Sequence, residues 1–185
     1  MDKQAPSWND VVKLQEQLKD AASDYWIHHT LFIWQWWVLL ILTLLPWVIW
    51  WKIVDKQRVG ECLYYGVLIA LMATVLDSIG SSMMWWVYPH QLLRILPPLV
   101  PVDLSIIPCF MMIIYQVFSR WKTYLLANTA FAFLASYLFE PLFVWSGIYD
   151  MITWKYFYSV LFYVVAGFIS RWIVIWSLSR RGRGL

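Results

Sequence analysis

Three carboxylates stand where a carboxylate needs a reason: Asp77, Asp103 and Glu140 each fall within or at the edge of an apolar run. A charge at membrane depth is expensive unless it is neutral, paired or facing water, so such a residue marks a functional site by default. Glu140 is the sharpest case. Pro141 follows it, removing a backbone donor, biasing Glu140 away from helical geometry and predicting a kinked helix beside the acid. Asp77 and Glu140 sit toward the C-terminal ends of their runs, where the helix dipole also disfavours negative charge. Each must hold a proton or meet a cation, and Arg94 is the nearest cation of the right kind, paired with either one. An acid left over from that pairing is a proton donor in the sense general acid catalysis requires. Asp103 has a second reading, because it follows Pro101 at a helix start, where a carboxylate caps free N–H groups.

Around the acids the sequence is rich in aromatic faces. Trp85, Trp86, Tyr88, Trp145 and Tyr149 are the expected lining of a pocket that would stabilise cationic intermediates or bind cationic ligands. His90, Gln116 and Asn128 read as interfacial or interhelical hydrogen-bonding residues, and Arg171 as a side chain that snorkels. Cys62 and Cys109 have no CxxC spacing and read as buried thiols. Metal and cofactor are both expected to be absent. Paired-aspartate diphosphate motifs, GxSxG, HExxH, P-loop and dinucleotide fingerprints are all missing from the sequence, which removes nucleotide-dependent chemistry.

The elements that must position these residues are membrane spans. The 185 residues are 62% apolar and only 14% charged, outside the range of soluble domains, and fifteen of them are tryptophan. The expectation is an all-α integral membrane bundle of five helices, with spans at 31–51, 62–81, 102–118, 123–145 and 156–178. Residues 1–30 form a separate amphipathic interfacial helix, with Trp8, Val11, Leu14, Leu18 and Ala22 at helical spacing and Ser7 as its N-cap. The bundle proper is a single domain over 31–185. Residues 83–101 carry four prolines and Arg94 and are expected to form a short interfacial or re-entrant segment. No cleavable signal peptide is expected, since the first apolar run is long enough to span.

Lysines and arginines cluster at 52–58, 120–122 and 180–183, and five spans put all three clusters on one side. The positive-inside rule makes that side cytoplasmic and the amino terminus external, in the cell membrane. Asp77 lies fifteen residues past Cys62, roughly 22 Å up a hydrocarbon core of about 30 Å, and Glu140 is seventeen past Thr123. All three acids then share the outer third of the membrane, level with Arg94.

The sequence from Asp77 onward reads Asp77-x-x-Gly80-x-x-x-x-Trp85, Tyr88-Pro89, Pro101-Val-Asp103-Leu-Ser105-x-x-Pro108, Tyr115-Gln116, Glu140-Pro141-Leu-Phe-Val-Trp145-x-Gly147-Ile-Tyr149 and Trp154-Lys155-x-x-Tyr158-Ser159. Over about the last 110 residues it resembles a family of small multi-spanning membrane proteins of endospore-forming bacteria, whose marked positions coincide with the three acids. A weaker similarity is to the integral-membrane terpene cyclases, including the lycopene-cyclase domain, which use intramembrane carboxylates to protonate an alkene or epoxide. That similarity implies a cyclase or isomerase acting on a prenyl lipid. Glu140 or Asp77 would donate the proton, and Trp85, Trp86, Tyr88, Arg94, Trp145 and Tyr149 would contact substrate. The alternative is a small carrier or accessory subunit in which the same acids bind a cation or an amine. A third reading makes Arg94 and the acids interhelical glue. Lipid or a terpenoid is the expected partner, nucleic acid is not, and a homo-oligomer is compatible with the sequence.

Overall fold

The computed structural model describes residues 5–94 and 99–181, and is helical almost throughout. Residues 95–98 of the expected interfacial segment, the first four residues and the 182–185 end of the basic tail lie outside the described residues. Helix α1 is Trp8–His29, α2 Trp34–Ile53, α3 Val59–Ser82, α4 Val102–Val117, α5 Trp121–Trp145 and α6 Tyr156–Arg181. Among the described residues, α2, α3, α5 and α6 are long and apolar enough to cross a membrane. The protein is a helical membrane protein.

Helix α4 differs from the other four bundle helices. It is a shorter apolar helix, spanning about 24 Å at the helical rise. It is also the most internal: Ile107, Cys109, Met111, Met112 and Tyr115 are buried against α3 and the helices on either side. Its far end reaches the turn between α2 and α3, where Gln116 accepts from the Asp55 N–H at 2.8 Å and donates to the Ile53 carbonyl at 3.3 Å. The short helix therefore still joins the two ends of the bundle.

Proline shapes two helices in a way the sequence reading misses. Helix α4 opens with a widened π turn at Val102–Ile106, and α5 carries another at Ala135–Phe139. Each ends two residues before a proline, Pro108 and Pro141. A proline ring cannot sit beneath the carbonyl four residues back, and shifting the preceding turn to longer-range bonding relieves that clash. Glu140 consequently stays helical, with φ −58° and ψ −47°, contrary to the expected departure from helical geometry.

Helix α1 carries the expected Ser7–Asp10 capping box and buries none of its residues, leaving Trp8, Leu14 and Leu18 exposed. Only its last turns dock. The Trp26 indole donates to the Gln91 carbonyl at 2.9 Å, and Thr30 lies 3.1 Å from His90. The segment from Met83 to Arg94, where a short interfacial or re-entrant segment is expected, is an extended cap. Its Trp86–Val87 strand (β1) pairs antiparallel with Asp150–Met151 (β2), in the register Trp86 to Met151. The Trp85 carbonyl extends the pairing by accepting from the N–H groups of Ile152, Thr153 and Trp154 at 3.0, 3.1 and 3.3 Å.

At the other end, Arg171 does not snorkel. It is buried, donating to the Phe118 carbonyl at 2.7 Å and to that of Ser119, with its guanidinium 4.2 Å from the centre of the Tyr124 ring. These carbonyls follow the last turn of α4, at the negative end of its dipole, and supply the acceptors that a buried guanidinium needs.

Candidate functional site

Asp77 lies on α3 one turn before Gly80 and is buried. Its Oδ1 accepts from the Trp86 indole N–H at 2.8 Å and the Tyr88 hydroxyl at 2.5 Å. Both donors come from the cap, so the β1–β2 ribbon is what aims them. Gly80 makes the approach feasible, because a Cβ there would lie 2.1 Å from atoms of the Trp86 ring. Burial pushes the Tyr88 phenol well above its ordinary range, and the neighbouring Asp77 and Asp103 carboxyls add to the shift. Tyr88 is therefore a permanent donor at neutral pH.

Asp103 sits in the π turn that opens α4. Its carboxyl is buried in the same cavity wall as that of Asp77. Among the described residues, Oδ2 of both aspartates has no partner, and no basic side chain is paired with either. Two carboxyls on one dry wall, with Oδ2 of each unpartnered, form a polar cluster in otherwise apolar surroundings. Pro101 occupies the N-cap position and no side chain makes a capping hydrogen bond there, while Asp103 stays in the first turn, at the positive end of the helix dipole.

Glu140 follows the second π turn. Its Oε2 accepts from the Ser159 hydroxyl at 3.1 Å, and its Oε1 from the Tyr163 hydroxyl at 3.3 Å. Ser159 in turn accepts from the Trp154 indole at 2.9 Å. Tyr149, buried and stacked on Tyr88 with ring centres 5.5 Å apart, completes the arrangement. Its phenol is pushed up by burial first and then by Glu140 and Asp77, which puts it within electrostatic range of both acid groups.

The three carboxyls share one cavity of about 540 Å³. Trp86, Tyr88, Tyr149, Trp154 and Phe143 line it near the acids, and it continues as an apolar groove along α2, α4 and α5. Helices α2 and α5 flank α4, and the groove between them is walled by Leu45, Ile49, Ile53 and Phe110, all exposed on the outer surface. Among the described residues, no lysine, arginine or histidine lines the cavity. The arrangement can hold an apolar molecule against a pair of buried carboxyls, with a third carboxyl in the same lining.

Of the residues expected from sequence, the structure brings together Asp77, Asp103, Glu140, Trp86, Tyr88 and Tyr149 at this wall. Three others lie elsewhere. Trp145 is 84% exposed on the outer face of α5, because the helical turn after Glu140 carries it away from the bundle. Arg94 binds the Ser23 hydroxyl of α1 and meets neither acid, since the extended cap carries it toward the amino-terminal helix. Trp85 stands behind the wall, stacked on Trp154 at 5.3 Å, because strand alternation turns it away from Asp77 when Trp86 turns toward it. The sequence reading missed Trp154, Ser159 and Tyr163. Ser159 and Tyr163 stand four apart on α6, one face of a helix, and that spacing of two hydroxyls was the available signal.

Compared with protein-family models, with curated proteins and with solved structures, the chain has no match.

Proposed function

We propose that the protein is a membrane-embedded acid catalyst that cyclises or isomerises a prenyl lipid. The observation behind this reading is the aspartate pair: Asp77 Oδ1 receives two hydrogen bonds while Oδ2 of both aspartates is left without a partner in a cavity wall. Donors on one oxygen fix the Asp77 carboxyl in the wall with Asp103 in the same lining, so a substrate in the cavity meets both as candidate proton donors.

In the reaction, the pair transfers its proton to a substrate alkene carbon. A C–H bond forms, the π bond breaks, and a carbocation remains. The ring faces of Trp86, Tyr149 and Trp154 favour that cation. An internal alkene either attacks it, forming a C–C bond, or leaves it in place. Glu140 then takes a proton from a neighbouring carbon and an alkene re-forms. Substrate and product are isomers, and no oxidant, metal or nucleotide enters the balance. Returning the proton from Glu140 to the pair resets the site, and Tyr149 neighbours both ends of that route.

The basic residues at 52–58, 120–122 and 180 support an orientation with the acids in the outer leaflet of a cell membrane, the amino terminus outside and the carboxyl terminus in the cytoplasm.

The absence of a basic residue from the cavity lining, among the described residues, favours one second reading, a carrier or accessory subunit that binds a cation or amine at the three carboxyls. It predicts binding without product. The glue reading loses its cation, because Arg94 is engaged with Ser23. The test is mass spectrometry of lipid co-purified with wild type and with Glu140→Gln. A prenyl lipid that accumulates uncyclised in the variant alone supports catalysis, and identical lipid in both contradicts it.

A further inference from the structure

The cavity also specifies the shape and charge of what enters it. Leu42, Leu45, Pro46, Ile49 and Ile53 recur at i, i+3, i+4, i+7 and i+11 on α2, a single helix face turned into the groove. Eleven residues of helix span about 16 Å, the length of roughly a dozen extended C–C bonds. The groove runs along the helices, parallel to lipid chains, and its outer rim is the exposed Ile49, Ile53 and Phe110. A membrane-dissolved chain can enter sideways between α2 and α5 without leaving the apolar phase. Toward the cap, two nine-tenths-buried aspartates carry unpartnered oxygens, Glu140 shares the lining, and among the described residues no cation lines the wall. Phosphate or diphosphate brought to that wall would meet three carboxyl groups and no counter-charge, which is strongly unfavourable at low dielectric.

We infer that the groove between α2 and α5 is a lateral entry and binding site for a single-chain, phosphate-free lipid. Its chain lies along the Leu42–Ile53 face of α2 and its alkene or small neutral head rests against Asp77 and Asp103. This rests on the acid-catalyst reading and narrows it: the substrate is a free prenyl alcohol or hydrocarbon, and any phosphate has been removed by a preceding hydrolysis. Two-chain phospholipid is excluded by the same charge argument and by the single groove.

The test places single cysteines at Ile49→Cys, in the groove, and Leu44→Cys, on the opposite exposed face of α2, in nanodisc-embedded protein. Labelling by N-ethylmaleimide is followed with and without farnesol, hexadecanol or farnesyl diphosphate; native Cys62 and Cys109 are both buried. Farnesol is expected to slow labelling at position 49 at least fivefold and to leave position 44 unchanged. Farnesyl diphosphate is expected to protect at least tenfold more weakly. Hexadecanol protecting as well as farnesol would overturn the prenyl assignment, protection by the diphosphate equal to farnesol would overturn the charge argument, and equal labelling at both positions would overturn the groove. A variant that folds poorly is recognised by its loss of monodisperse elution, and Phe110→Cys replaces it. Protection at position 49 with no conversion of farnesol or any native prenyl lipid would leave the groove standing and remove the catalytic reading.

Discussion

Gly80→Ala should damage the site from one methyl group. Alanine is ordinarily better than glycine in a helix by about 1 kcal/mol, so an unconstrained substitution would stabilise α3. Here the new Cβ would lie 2.1 Å from two atoms of the Trp86 ring and 2.7 Å from a third. The indole must retreat by about 1.3 Å to reach ordinary contact, which breaks its 2.8 Å bond to Asp77. Overpacking of this kind costs about 1–3 kcal/mol, and a buried carboxyl deprived of one donor a further 1–3 kcal/mol. The net expectation is a loss of about 1–5 kcal/mol, after the helix-propensity gain. The assay is thermal unfolding in nanodiscs by circular dichroism, for Gly80→Ala in the wild-type background and in Trp86→Ala. Removing the indole removes the obstacle, so Gly80→Ala should become neutral or stabilising in the second background. Equal effects in both backgrounds would refute the packing argument, and with it the claim that Gly80 exists to let Trp86 reach Asp77.

Ser159→Ala should weaken the Glu140 environment by about 1 kcal/mol and reduce turnover, whereas Trp145→Ala, at an exposed position, should change neither turnover nor unfolding temperature. Arg171→Lys should destabilise the fold by about 2–3 kcal/mol in the same unfolding assay, because an ammonium cannot reproduce two directed bonds to the Phe118 and Ser119 carbonyls while lying on the Tyr124 ring. Tyr88 has a folded-state pKa above its unfolded value near 10, so its contribution to stability is complete below that pH and is lost as pH rises. Alkaline unfolding should therefore begin at about pH 10 and be shallower in Tyr88→Phe; parallel curves for the two proteins would contradict it.

Four of the five expected spans and the grouping of the three acids were legible, because hydrophobic runs and helical rise are properties of sequence alone; the fifth, expected at 102–118, is the shorter helix α4. Asp77, Asp103 and Glu140 needed only their position in those runs to stand out. What stayed hidden depended on contacts between distant segments. The β1–β2 ribbon joins residues more than sixty apart through two residues each, far too little for a strand pattern, yet it decides that Trp86 faces Asp77 and Trp85 does not. Arg94 was assigned to an acid by depth, and depth is silent about direction; the cap carries it to Ser23 instead. Prolines 108 and 141 announced a disturbance in their helices but not its form, because a π turn and a kink relieve the same clash.

The central claim is that the Asp77–Asp103 pair gives a proton to carbon. The measurement is incubation of the purified protein with native membrane lipid extract in deuterium oxide, followed by high-resolution mass spectrometry of the neutral lipids. The account predicts a prenyl-lipid isomer carrying one carbon-bound deuterium, formed by wild type and absent with Asp77→Asn. No deuterium in any lipid, or the same deuterated product from Asp77→Asn, would contradict it.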